Sequence, residues 1–485
     1  MIRRAAPILK GRVTETLSTR FNSRVELGNL NVSVLRDLEV SGDQLRIYPP
    51  DSVVAAAANQ PLITLEHFSF HSGLIGLFFR PMHVGTVQVT GMQINIPPRG
   101  MRGGPSPGGK KRGGKIKIVV DTIICEKSRL MIGTTNPGKE PKNFELKHIQ
   151  MHNVGPNVPW QYDAMLANAV PRGDIHAVGT FGPSETESPG DSSVTGHYTF
   201  DRVDLNTIKG IGGILSSVGN FKGQLDQIIV DGTTETPDFS LDTANHPMPL
   251  HTRFHATVDG TSGDTYLEPV NAKLRNSSFT ARGAVVSVKG KGHTIDLDVD
   301  IPSGQIQDFL ELAVKTEPTF VTGTIDSKTQ LHIQPGKESV SQKLSSQGTF
   351  TLLGIHFTNP EVQDEVDMLS LRASGDPKDA KPGANDVTSQ MKGRFSLDQG
   401  SLRFSNLTYE LPGANVSLEG VYSLDGSKFD LQGKVRTQAT LSEMVASRWK
   451  SWMLKPISPF FKKNGAGAVI PVKIIGTKST PKFGF

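Results

Sequence analysis

The sequence predicts a mainly β protein: a long, curled antiparallel sheet with a few short helices. Three observations carry that expectation. Apolar and polar residues alternate with period two over most of the chain. The alternating runs are broken by Gly, Asn, Asp and Pro, and Gly alone contributes 50 of 485 residues. Stretches with helical spacing are few and short.

The alternation is clearest from Lys392 to Val435. Phe395 and Leu397 alternate with polar neighbours, then follow a DQG turn, Leu402 and Phe404. Leu407, Tyr409 and Leu411 precede a PGA turn; Val416 and Leu418 precede a DG turn, and Phe429 and Leu431 close the series. Each run reads as one strand and each break has hairpin chemistry, so successive strands are expected to pair antiparallel. Similar patterning recurs at Arg24–Pro49, His83–Pro98, Lys115–Gly133, Ser277–Pro302 and Phe320–Gly336. The spacing is irregular, which argues against a short-period solenoid.

Four helices are expected: a short one within Phe200–Val218, and others at Ser303–Val314, Glu361–Ala373, and Thr440–Lys462, which Pro456 and Pro459 interrupt. The stretch Arg99–Lys117 holds seven basic residues, seven Gly and no acid, and reads as a flexible loop. The expected organisation has four parts. A helix and the start of the sheet occupy 1–98, the basic loop 99–115, a middle β segment with a short helix 116–240, and a C-terminal β region 241–485.

The chemistry that composition excludes is broad. A single cysteine, Cys125, allows neither an intrachain disulfide nor a cysteine-based zinc site, and its place in TIICEK reads as an inert buried thiol. His67 and His71, like His251 and His255, are four apart. On a strand such pairs share a face but lie roughly 13 Å apart, too far for one metal. Asp296, Asp298 and Asp300 alternate with apolar residues and read as the polar face of a strand. The Gly-rich run Lys209–Gly219 lacks the ending of a phosphate loop, and no GxSxG, HExxH or CxxC occurs. The net charge of +5 does not point to nucleic acid. No enzyme chemistry, metal or cofactor is expected.

A sheet with one apolar face has to cover it. Four short helices cannot cover about 25 strands, which at ~4.8 Å spacing would extend on the order of 100 Å. The face is then closed by a second sheet, as in a sandwich, or curls into a groove for an apolar ligand. The candidate lining is Phe395, Leu397, Leu402, Phe404, Leu407, Tyr409, Leu411, Val416, Leu418, Phe429 and Leu431. Two sites suit a membrane surface: the aromatic and basic segment with Trp449, Trp452, Phe460 and Phe461, and Lys110, Lys111 and Arg112 of the basic loop. For each, a plainer reading stands beside it: aromatics that plug the end of the sheet, and a solvated loop.

Gly196–Leu241, His251–Gly283, Asp364–Gly375 and Asn464–Gly484 carry a resemblance in cadence and phrase. With the strand-rich start Arg24–Pro49, they resemble the AsmA-like envelope proteins, of the AsmA and TamB type, and the related bridge-like lipid-transfer proteins. The resemblance implies a repeating β-groove with a lipid-lined concave face. It implies a non-enzymatic bacterial protein of the periplasm that binds phospholipid, supports lipid transport or outer-membrane assembly, and carries no catalytic residues. Such proteins begin with one membrane-spanning helix. This sequence opens on RRAAPILKGRVTETLSTRF, which resembles the helix after that anchor. An inner-membrane anchor upstream is therefore expected. The competing expectation is a scaffold of stacked β-sandwiches that works through protein contacts.

Overall fold

Alternating sequence becomes one continuous sheet. The structure, a computed structural model, describes residues 11, 14–15, 18, 23–34, 38–50, 60–72, 82–97, 118–134, 136–155, 159–168, 171–182, 193–315, 317–381, 383, 387–423, 428–440, 443–445, 467–477 and 480–484. β1 (Ser23–Glu26) and β2 (Leu30–Val34) form one edge, both antiparallel to β3 (Leu38–Pro50). β3 pairs with β4 (Ile63–Ser72), which pairs with β5 (Met82–Thr90) and β6 (Gln93–Ile96).

β5 and β6 then lie parallel to β7 (Ile118–Ile132). This is an exception to the expected antiparallel succession. Parallel neighbours require a long connection between them, and the basic loop is the sequence that joins β6 to β7. That loop, with Lys110, Lys111 and Arg112, lies outside the described residues.

From β7 the chain is an antiparallel meander. It runs through β8 (Lys142–Val154), β9 (Trp160–Asn168), β10 (Arg172–Phe181) and β11 (Ser193–Asp204). After the two-residue β12 (Ile211–Gly212), it continues through β13 (Ile214–Gln224), β14 (Gln227–Leu241), β15 (Met248–Val258) and β16 (Thr265–Leu274). β17 (Ser277–Val288), β18 (Gly292–Gln305), β19 (Val321–Ile333) and β20 (Leu344–Phe357) follow. β21 (Ser389–Asp398), β22 (Ser401–Leu411), β23 (Ala414–Ser423), β24 (Phe429–Thr437), β25 (Ala468–Thr477) and β26 (Thr480–Gly484) complete it. The turns have the chemistry the sequence announces. Between β21 and β22, Gln399 and Gly400 have φ of 46° and 74°, the signature of a two-residue hairpin matched to strand twist.

Three helices connect strands of the sheet among the residues from 193 to 440. α1 (Ile306–Ala313) joins β18 to β19 and matches the helix expected at Ser303–Val314. Its Asp308 accepts hydrogen bonds from Ser277 Oγ at 2.7 Å and Asn276 N–H at 3.2 Å, and Phe309 meets Phe279 edge-on at 6.2 Å. α2 (Val340–Lys343) is one turn between β19 and β20. α3 (Pro360–Ser374) matches the helix expected at Glu361–Ala373. Asn359 caps it by accepting from the N–H groups of Glu361 and Val362, Pro360 opens its first turn, and Gly375 ends it at φ 99°.

The short helix expected within Phe200–Val218 is reduced to one 3-10 turn. Apart from that turn, at Leu205–Thr207, the segment's structured residues belong to β11, β12 and β13. The apolar spacing there suits a helix, but Gly210, Gly212 and Gly213 weaken it, and cross-strand pairing on both sides decides the outcome. The Thr440–Lys462 segment, with Trp449, Trp452, Phe460 and Phe461, lies almost wholly outside the described residues.

The sheet has two long rims. The first bears the connections β7–β8, β11–β13, β18–β19 and β20–β21; the second bears β13–β14, β15–β16, β17–β18 and β19–β20. The rims meet in two places. In the β7–β8 connection Lys139 Nζ donates to Asp264 Oδ1 at 2.7 Å and to the Ser287 carbonyl at 2.6 Å, while Lys289 N–H donates to the Gly138 carbonyl at 3.2 Å. Further on, Val340 N–H of α2 donates to the Lys209 carbonyl at 3.2 Å. Each closure joins strands about eight places apart. Twist explains the interval: ~20–25° per strand accumulates to about 180° over eight strands, which turns the opposite rim to the same side.

Burial alone would raise the Asp264 carboxyl. The hydrogen bonds from Lys139 and from Ser287 N–H, with the Lys139 charge, hold it below the ordinary carboxylate range instead. Lys142 and His293 also face this corner. A depressed carboxyl contributes stability above its unfolded value, about 3.9, that is lost as pH falls through the lower folded value. Asp264 therefore adds no pH dependence at the Ser287 amide between pH 8 and about 5. His293, paired with Ser287 and held by burial below the ordinary imidazole range, should instead lower that amide's protection, corrected for intrinsic exchange, as pH falls from about 6.5. Hydrogen exchange across that range checks it.

Candidate functional site

The register defines one face of the sheet as a continuous, mostly apolar track without charge. A first row of directly paired residues runs Leu30, Gly42, Phe68, Val89, Cys125, Ile149, Ala164, Ala177 and Tyr198. It continues Gly219, Gly232, Phe254, Val270, Ala281, Val299, Thr329 and Gly348. It ends Phe395, Phe404, Gly420, Leu431 and Ile474. No residue in it is charged. A second row beside it runs from Val32 through Phe70, Tyr162, Phe221, Leu267 and Leu331 to Leu397, Leu402 and Tyr422, again without a charge.

Glycine and aromatic residues share the floor by pairing across strands. Phe68 lies opposite Gly42, Tyr162 opposite Gly179, Tyr198 opposite Gly219, and Phe254 opposite Gly232. Phe395 lies opposite Gly348, Phe350 opposite Gly393, and Phe404 opposite Gly420. The reason is space: a Cβ at Gly232 would meet Phe254 Cζ and Tyr198 Oη at 2.8 Å. At Gly42, Gly219, Gly232 and Gly393 the missing side chain leaves room for the opposite ring to lie across the strand and pave the floor. Phe350 touches both Phe395 and Phe404 at 6.2 Å between ring centres.

The floor is sealed near its N-terminal edge and half-open beyond it. Near the N-terminal edge Val40, Leu45, Phe68, Val89 and Cys125 form a dry core. Burial there, with a smaller push from Glu126, raises the Cys125 thiol to about 12, so thiolate is scarce at neutral pH. In the middle Phe221, Val230, Phe254, Val270 and Leu297 remain half-buried, although nothing about their chemistry requires water. Burial also raises the hydroxyls of Tyr162 and Tyr198 on this floor.

The expected lining divides into three groups. Phe395, Leu397, Leu402, Phe404 and Leu431 stand half-buried on the track. Leu407 is sealed at 4% exposure, and Leu411 and Val416 pack with Ala373 of α3, joined by Tyr409 and Leu418. These covered residues correct the expectation of an open lining along the whole of β22 and β23: α3 roofs that corner. The Phe429 backbone pairs with Tyr422, and its side chain lies outside the described residues. Sequence reading missed the middle of the track, including Phe221, Val230, Phe254 and Val270. Their alternation was visible, but their alignment into rows depends on register.

The opposite face is polar and carries histidine–carboxylate pairs between neighbouring strands. His67 meets Asp43, His148 Glu126, His176 Asp163, His251 Glu235, His255 Asp231 and His332 Asp296, at 2.5–2.7 Å. His67, His71, His251 and His255 each face a carboxylate across the strand and not one another. Asp296 and Asp300 likewise face His332 and Lys328. Among the described residues no three His, Cys, Asp or Glu converge as metal ligands, and no helix is long and apolar enough to cross a membrane.

No family model, curated protein or solved structure matches this chain. Function therefore rests on the geometry of the two faces and on the sequence itself.

Proposed function

We propose that this chain is a non-enzymatic envelope protein that binds phospholipid acyl chains along its apolar track. In that role it supports lipid transport or outer-membrane assembly, working in the periplasm from the inner membrane. The observation that carries the reading is the charge-free row from Leu30 to Ile474. At ~4.8 Å per strand it offers a path on the order of 100 Å. Acyl chains supply about 0.8 kcal/mol per buried CH₂, so ~16 methylenes yield roughly 13 kcal/mol. That offsets the ~4–15 kcal/mol cost of immobilising a ligand only when most of the chain is buried, which a continuous track permits and isolated patches do not. The AsmA-like cadence of the sequence supports the same reading.

The sandwich scaffold is the second reading, and the dry cluster around Phe68 and Cys125 favours it locally. The half-buried floor at Phe254 and Val270 speaks against it for the middle of the sheet, because a facing sheet would seal those residues. A phospholipid bearing a photoreactive group in its acyl chain separates the two. Cross-links are expected at Phe254, Val270 and Phe395, and not at Arg253 or His255 on the polar face. Equal labelling of both faces would overturn the lipid reading.

A further inference from the structure

An open groove lets an amphiphile keep its tails on the floor and its headgroup in water. That arrangement fails wherever the two rims touch. Lys139 and Asp264 make such a contact, and it is no solvated surface pair: their side chains retain 9% and 11% of their exposure. The surroundings reinforce it. Ser287 N–H also donates to Asp264 Oδ1 at 2.8 Å, and the Gly138 carbonyl accepts from Lys289. The second contact, Lys209 to Val340, needs Gly210 at φ +107°, where a Cβ would stand 2.5 Å from Val340 N. Between β7 and β20 the mouth of the track is therefore crossed twice, by contacts between opposite rims.

We propose that the Lys139–Asp264 contact is a gate on the track, which has to part for a phospholipid headgroup to pass. The inference rests on the lipid reading above. Tails can slide beneath the closure, because the floor is continuous through Cys125, Tyr198 and Phe254. A zwitterionic or anionic headgroup cannot, because its way is blocked by a largely buried ion pair and the backbone bonds beside it. The closure consists of one side-chain pair and a few hydrogen bonds between turns, with no strand ladder across it, so it can open while both strand systems stay intact.

The test is a lock. Gly138→Cys and Lys289→Cys place thiols on residues already joined by a backbone hydrogen bond, and both positions are exposed. Cys125 stays in place, since it is fully buried. Transfer of a fluorescent phospholipid between vesicles of neutral phospholipid is measured with the full chain, oxidised and reduced, beside equilibrium lipid binding. Transfer is expected to fall at least tenfold on oxidation and return on reduction, while bound lipid per protein is unchanged. The unlatched variants Lys139→Ala and Asp264→Asn should exchange the Ser287 amide faster and transfer at least as fast as the parent. Wild-type transfer by the oxidised protein would overturn the gate and leave the lipid reading standing. A parent protein that takes up no phospholipid would overturn the lipid reading itself.

Discussion

Phe404→Asp, alone or with Leu402→Asp, is expected to empty the C-terminal part of the track without unfolding the sheet. Phe404 is half-buried, pairs with Phe395 and Gly420, and touches Phe350. In the free protein the new carboxylate reaches water through the open mouth, so its cost to folding is that of the lost ring contacts, about 1–2 kcal/mol. With an acyl chain over it the carboxylate is dry and unpaired, which costs several kcal/mol. At ~1.4 kcal/mol per tenfold, lipid affinity should fall by about a hundredfold or more. Far-ultraviolet circular dichroism checks the fold, and lipid co-purifying with the variant checks the track. Unchanged lipid in a folded double variant would count heavily against the proposed cargo.

Gly232→Val tests how the floor is built. A side chain there meets Phe254 Cζ, Tyr198 Oη and the Val218 carbonyl, all within 2.9 Å. Valine suits a strand by propensity and would stabilise an ordinary position. Here it has to expel two rings from the floor, and overpacking of that kind costs typically ~1–3 kcal/mol. The expected result is a lower urea midpoint together with weaker lipid binding, because both rings leave the track. Restoring room from the other side, with Phe254→Ala in the same chain, should recover part of the midpoint. A Gly232→Val protein more stable than its parent would show that the ring-over-glycine pairing is incidental.

Local pattern made much of this fold legible. Alternation assigned Phe395, Leu397, Leu402 and Phe404 to one face, and the QG turn at Gln399–Gly400 fixed the hairpin between them. α1 and α3 are both legible as short helical segments, at Ser303–Val314 and Glu361–Ala373. What stayed hidden depends on distant partners. A short stretch within Phe200–Val218 has helical spacing, yet pairing with β10 and β14 makes most of the segment strand. The parallel step at β5–β7 interrupts no local pattern. The rows of the track follow from register, which the sequence specifies only through bulges and turns summed along many strands. The rim closure is the extreme case: Lys139 and Asp264 are 125 residues apart, and accumulated twist brings them together. The covering of Leu411 and Val416 was missed for a related reason, since the helix that roofs them lies some forty residues earlier, at Ala373.

Native mass spectrometry of the gently purified full chain tests the central claim most directly. The account predicts protein carrying phospholipid, released on activation and identifiable by mass, with fewer lipids per protein in the Leu402→Asp, Phe404→Asp variant. Protein that shows no bound lipid at any stage, from membrane extraction to the final column, would contradict it.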